Sequence, residues 1–113
     1  MAAPLSSAEA LWQDYAFLTR ELAKFAGRQS WNMVMNLLDQ RASLQQRLDE
    51  LADRDFVVSP AGRKLLGELL REEQAIARQI RLARNQSQQR QQVALAYDAY
   101  SAVSPGMILN RGT

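Results

Sequence analysis

The chain has 113 residues, 47% of them hydrophobic and 23% charged, a net charge of +2, and no cysteine or histidine. That is the length of one domain able to bury its own core. The two missing residue types exclude a disulfide framework, thiolate chemistry, a Ser-His triad and histidine metal ligands. No run of about 18 apolar residues occurs, so no stretch is patterned to cross a membrane. The start, MAAPLSSAEALW, lacks the charged residues and apolar block of a signal peptide, and a cytoplasmic protein is expected.

The first predicted helix covers residues 6–26. Ser6-Ser7-Ala8-Glu9 fits a capping box, with Glu9 reaching back to the cap. Leu11, Tyr15, Leu18, Leu22 and Phe25 recur at alternating steps of four and three, with Trp12 beside them. Gly27 is the expected stop, in the left-handed conformation.

The second helix is predicted over residues 30–52, with Ser30 as its cap. Trp31, Val34, Leu37, Leu38, Leu44, Leu48 and Leu51 form its stripe, and Met33 and Met35 broaden the start. Arg41 falls on that stripe. Its stem can pack while its head reaches water, or it can line a groove and meet a polar group of a partner. The short link to the first helix makes the two antiparallel neighbours. Phe56, Val57 and Val58 then read as an apolar plug for the end of the bundle rather than as a strand.

The third helix runs over residues 60–84 and can continue to 92. Ser59 caps it and Pro60 takes the first position, where a missing N–H costs nothing. Leu66, Leu69, Ile76, Ile80 and Ala83 form the stripe, and Leu65, Leu70 and Ala77 widen it. Glu73 lies in register with that stripe. A buried unpaired carboxylate is expensive, so Glu73 belongs at a rim, beside an arginine, or in an open groove. Gly62 and Gly67 are expected to permit close helix packing. The segment NQSQQRQQ, residues 85–92, has no apolar residue, glycine or proline. A last helical segment follows over residues 93–103, and an irregular tail, residues 104–113, contains the apolar trio Met107, Ile108 and Leu109. The whole reads as an all-α antiparallel bundle of three main helices plus a C-terminal helical segment.

Charge divides along the chain, −2 over residues 1–59 and +4 over residues 60–113. Arg71, Arg78, Arg81, Arg84 and Arg90 could form a basic ridge for nucleic acid. Glu68, Glu72 and Glu73 dilute it, and no aromatic lies among the arginines to stack bases, so no nucleic-acid partner is expected. The carboxylate pairs Asp49/Glu50, Asp53/Asp55 and Glu72/Glu73 lack the histidines that helical-bundle metal sites use. Glu73 on its stripe apart, they read as solvated face residues, with no metal, no cofactor and no catalytic residue. What remains is binding of a helix in an apolar groove. Three wide stripes offer more apolar surface than a three-helix core conceals. The segment after the polar linker could dock on the excess, or could be a fourth core helix.

The pattern resembles the FliT family of flagellar export chaperones along nearly the whole chain. The resemblance is carried by a first helix rich in leucine and aromatics, a second opening on Trp31 (SWNMVMNLL), a long third helix, and VALAYDAY followed by GMILN. It implies a cytoplasmic four-helix protein that binds the C-terminal helical segment of the filament-cap protein FliD before type III export. It also implies a client groove between the second and third helices. One wall would be Val34, Leu37, Leu38, Arg41 and Leu44. The other would be Leu66, Leu69, Leu70, Glu73, Ile76 and Ile80. The lid would be Val93, Leu95, Ala96, Tyr97 and Tyr100. Some members also bind the export ATPase complex or the export gate. A related FlgN-like secretion chaperone, or another helical interaction module, would share this architecture with a different partner. A homodimer is open too, because exposed stripes can pair with themselves.

Overall fold

The computed structural model describes residues 7–52, 54–84 and 90–102. It contains α1 (Ser7–Gly27), α2 (Trp31–Asp49), the single turn α3 (Asp55–Val58), α4 (Pro60–Arg84) and α5 (Arg90–Ala102). The fold is all-α, and no strand occurs among the described residues. Among the described residues, no helix is long and apolar enough to cross a membrane.

Helix α1 is the centre of the bundle because apolar side chains cover two of its faces. Leu11, Trp12, Tyr15, Leu18 and Leu22 are buried, and so are Ala8, Ala16 and Ala26, whose small size lets neighbours approach. Helix α1 packs on both α2 and α4, and α5 also packs on both. The core has two parts. The first joins Leu18, Leu22 and Ala26 to Trp31, Val34, Leu37, Leu38, Ile76, Ile80, Ala83, Val93 and Ala96. The second joins Leu11, Trp12, Tyr15 and Ala16 to Leu48, Val57, Leu65 and Leu69. These pairings make α1 antiparallel to α2 and parallel to α4, with α5 returning along α4.

Several local expectations change. Ser6 lies outside the described residues, so the capping box is not seen. Gly27 does not take the left-handed conformation; Gln29 does, with φ of 59°. The Ser30 N–H donates to the Phe25 carbonyl at 3.0 Å and the Gln29 N–H to the Ala26 carbonyl at 3.1 Å. Those two bonds close a Schellman turn, which needs its left-handed residue at the position before Ser30. Ser30 makes no side-chain cap bond. Its carbonyl instead accepts the first helical bond, from Val34 N–H at 3.0 Å.

Helix α2 ends at Asp49, three residues short of the expected end. The apolar plug is helical: Asp55–Val58 forms one turn in which Val57 is buried and Val58 exposed. Ser59 caps α4 as expected, its Oγ accepting from Gly62 N–H at 3.1 Å. Gly62 is needed for close approach, because a Cβ there would lie 1.8 Å from the Phe56 carbonyl oxygen. Gly67 is not, since nothing lies within 4 Å of a Cβ at that position. Helix α5 begins at Arg90, three residues earlier than expected. Residues 85–89, the rest of the polar linker, and the tail from 103 on, including Met107–Leu109, fall outside the described residues.

Candidate functional site

The two residues that broke their stripes meet. Arg41 from α2 and Glu73 from α4 are 3% and 7% exposed, and the Arg41 guanidinium donates directly to the Glu73 carboxylate. Arg41 Nη1 also donates to Thr19 Oγ1 of α1 at 3.1 Å. Thr19 in turn donates to the Tyr15 carbonyl at 2.8 Å, one turn back along α1. The guanidinium lies over two aromatic rings, 5.0 Å from the Tyr15 centroid and 5.6 Å from that of Tyr100. Such placement adds cation–π attraction to both rings. The Tyr100 hydroxyl of α5 donates to the other Glu73 carboxylate oxygen.

This centre therefore ties all four long helices together. Helix α1 supplies the floor through Thr19 and Tyr15. Helices α2 and α4 supply the ion pair, and α5 covers it with Tyr100. The arrangement settles two open sequence readings. Glu73 is paired with an arginine, and Arg41 is enclosed rather than reaching water along its stem. Nothing in a single sequence paired the two; the signal was that each interrupted an apolar stripe.

Both tyrosines respond to this setting. Burial pushes the Tyr15 hydroxyl up to about 12, against the opposing charge of Arg41. Tyr15 Oη has no hydrogen-bond partner among the described residues. Burial also pushes Tyr100 up, and the neighbouring Glu73 carboxylate adds to the effect. Tyr100 thus stays protonated and remains a donor across the physiological range.

The expected groove residues fall into three groups. Val34, Leu37, Leu38, Arg41, Leu69, Glu73, Ile76 and Ile80 are buried. Leu44 and Leu66 are half-buried at the edge of the second core cluster. Leu70 is 47% exposed. The two walls are thus not an open cleft along their whole length, because α5 is seated over the half next to Trp31 and Ile80. Of the expected lid residues, Val93 and Ala96 are fully buried, and Tyr97 and Tyr100 are half-buried against the same cluster. Leu95 points away and is exposed, so it belongs to the outer face of α5. Arg84 lies over the Tyr97 ring at 4.6 Å, which fixes the start of α5 on α4.

Tyr100, at the end of the described α5, stands level with Arg41 and Glu73. On α2 and α4, Leu44, Leu66 and Leu70 carry the apolar line past that point. Beside Tyr100 lies a half-open hollow of about 160 Å³ lined by Leu38, Asp39, Arg41, Ala42, Gln45, Ala99 and Tyr100. A hollow of similar size, about 150 Å³, lies between α1 and α4, where Ala16 and Arg20 face Leu65 and Leu69. Among the described residues, no group of three acidic, histidine or cysteine side chains could hold a metal ion. Arg71, Arg78, Arg81 and Arg84 are exposed along α4.

No protein-family model, curated protein or solved structure matches this chain.

Proposed function

We propose that the chain is a helix-binding export chaperone of the FliT type, whose groove between α2 and α4 receives an amphipathic client helix where α5 now sits. The client on this reading is the C-terminal helical segment of the filament-cap protein FliD. The observation that carries the reading is the modest hold on α5. Among its described side chains, only Val93 and Ala96 are fully buried. Burying a valine contributes about 1.5–3 kcal/mol and an alanine less. A helix of 13 residues has little stability of its own. A competing helix that fills the same positions, and runs on over Leu44, Leu66 and Leu70, would bury more apolar surface than α5 does.

Two further features agree with binding rather than chemistry. The charged pair is held from within the fold by Thr19 and Tyr100, as a structural network is, and the hollow beside it has a volume of only about 160 Å³. The apolar line past Tyr100 ends at an exposed leucine, the kind of surface a partner would cover.

The test is calorimetric titration of a peptide from the FliD C-terminal segment into the full chain carrying Ala96→Asp. That substitution puts a charge under α5 and should free the seat. Affinity in the micromolar range is expected, and Leu66→Asp/Leu70→Asp should weaken it at least tenfold. Heat-silent mixing with a folded protein would refute the client assignment. Binding of a hook–filament junction segment in its place would favour the FlgN-like alternative.

A further inference from the structure

We infer that the groove selects its helix by a tyrosine: the guest must bring an aromatic hydroxyl to the Arg41–Glu73 pair and small residues seven and four positions before it. This inference rests on the reading that the α5 seat takes a client helix, and it specifies the chemistry of that client.

The argument begins with what α5 leaves behind. Thr19 and Glu73 satisfy Arg41 Nη1 from within the host, so that half of the network survives without α5. The second Glu73 carboxylate oxygen receives its side-chain donor from Tyr100. The outer face of the guanidinium is covered by the same ring. With the seat empty, water can take both roles. Once another helix closes over the site, water is expelled and the guest residue must replace it.

Each alternative side chain fails on a different physical ground. Phenylalanine keeps the ring over Arg41 but leaves a buried carboxylate oxygen without a donor, which is the costly omission. Leucine loses the cation–π contact as well. Lysine, arginine, aspartate or glutamate would each bring a third charge, with no counter-charge left to neutralise it, into a buried site where Arg41 and Glu73 already cancel. Serine and threonine are too short to reach from a helix backbone at the position of Tyr100. Sites built to hydrogen-bond a hydroxyl discriminate strongly against the analogue that lacks it.

The remaining requirement comes from Val93 and Ala96, both fully buried between α2 and α4. At position 96 a larger side chain would push the guest off its track. The guest pattern is therefore a valine or similar small apolar residue, an alanine three residues on, and a tyrosine four residues after that.

The probes are two labelled peptides, RQQVALAYDAYSA, which is α5 itself, and the same peptide with phenylalanine in place of Tyr100. Each is titrated by fluorescence polarisation into the full chain carrying Ala96→Asp. Val93→Asp replaces that variant if its helical circular dichroism is lost. The tyrosine peptide should bind about tenfold more tightly or better. Adding Arg41→Met/Glu73→Leu to the host should remove most of that preference, because the carboxylate that accepts from the hydroxyl is gone and only the longer 3.3 Å contact to the residue 73 carbonyl remains. Equal affinities for the unaltered polar pair would overturn the tyrosine rule and leave the groove reading in place. Binding of neither peptide to either folded variant would overturn both.

Discussion

Replacing Glu73 by leucine tests whether the polar centre is as enclosed as its geometry states. The substitution keeps the helix former and roughly the volume, but removes the carboxylate paired with Arg41. The guanidinium is then left 3% exposed with Thr19 as its one remaining hydrogen-bond partner described here. Breaking a buried pair in this way costs about 3–5 kcal/mol, since an uncompensated charge stays inside. Against a whole-domain stability of about 5–15 kcal/mol, that is a large fraction. Tyr100 would lose its carboxylate acceptor at the same time and keep only the 3.3 Å contact to the residue 73 carbonyl, so the loosening should extend to α5.

The companion variant, Arg41→Met/Glu73→Leu, removes both charges and refills the space with apolar groups. Buried pairs replaced in this manner are often neutral or more stable by about 1–4 kcal/mol. Urea unfolding followed by circular dichroism at 222 nm gives both values, with the double variant well above the single one. The reasoning is refuted if Glu73→Leu alone costs under about 1 kcal/mol. That result would mean that Arg41 swings out along its stem to water, as an exposed arginine would.

Three other outcomes follow from single residues. Gly62→Ala should destabilise at the upper end of about 1–3 kcal/mol or beyond, because its Cβ meets the rigid backbone of Phe56. Gly67→Ala in the same helix should stabilise by about 0.5–1 kcal/mol, since its Cβ meets open space; equal effects in thermal melts would sink the distinction. Gln29→Gly should raise stability by about 1 kcal/mol by removing the strain of a left-handed non-glycine residue, read as a melting temperature several degrees higher. The chain should also weaken in alkali. Tyr15 is raised to about 12 when folded and lies near 10 when unfolded, so its contribution is intact below pH 10 and declines above it. The decline approaches about 1.4 kcal/mol per pH unit for this group, and Tyr15→Phe should flatten the slope. Urea midpoints that do not move between pH 9 and 11.5 would contradict it.

The helices were legible because their apolar residues keep a 3.6-residue period and their ends carry Gly, Ser and Pro. Ser59-Pro60 placed the start of α4 to the residue. Ends that depend on backbone geometry were not legible. Gly27 looked like the stop, yet the Schellman turn counts from where the last helical bond closes, and that put the left-handed residue at Gln29. The residues of the polar centre were each visible as anomalies, Arg41 on one stripe and Glu73 on another. Their pairing was not, because 32 residues separate them and only the packing of α1 between α2 and α4 brings them level.

That pairing also accounts for why α5 sits where it does. Val93 and Ala96 already resist a slide of one turn, which would put Tyr97 and Tyr100 where those small residues fit, and the polar centre adds a second constraint. The observed register puts the Tyr100 hydroxyl on Glu73. Moving α5 by four residues would present Ala96 there, which gives no donor, and moving it by three would bring Tyr97 round only with the helix turned by about 60°. The buried charges thus contribute register more than raw stability, a role seen for polar residues inside apolar helix interfaces. The double variant Arg41→Met/Glu73→Leu separates the two. If the pair sets register, that protein should be at least as stable as the parent while its α5 amides exchange faster with solvent. If α5 amides are protected as in the parent, apolar packing alone positions the helix and the polar centre has no such role.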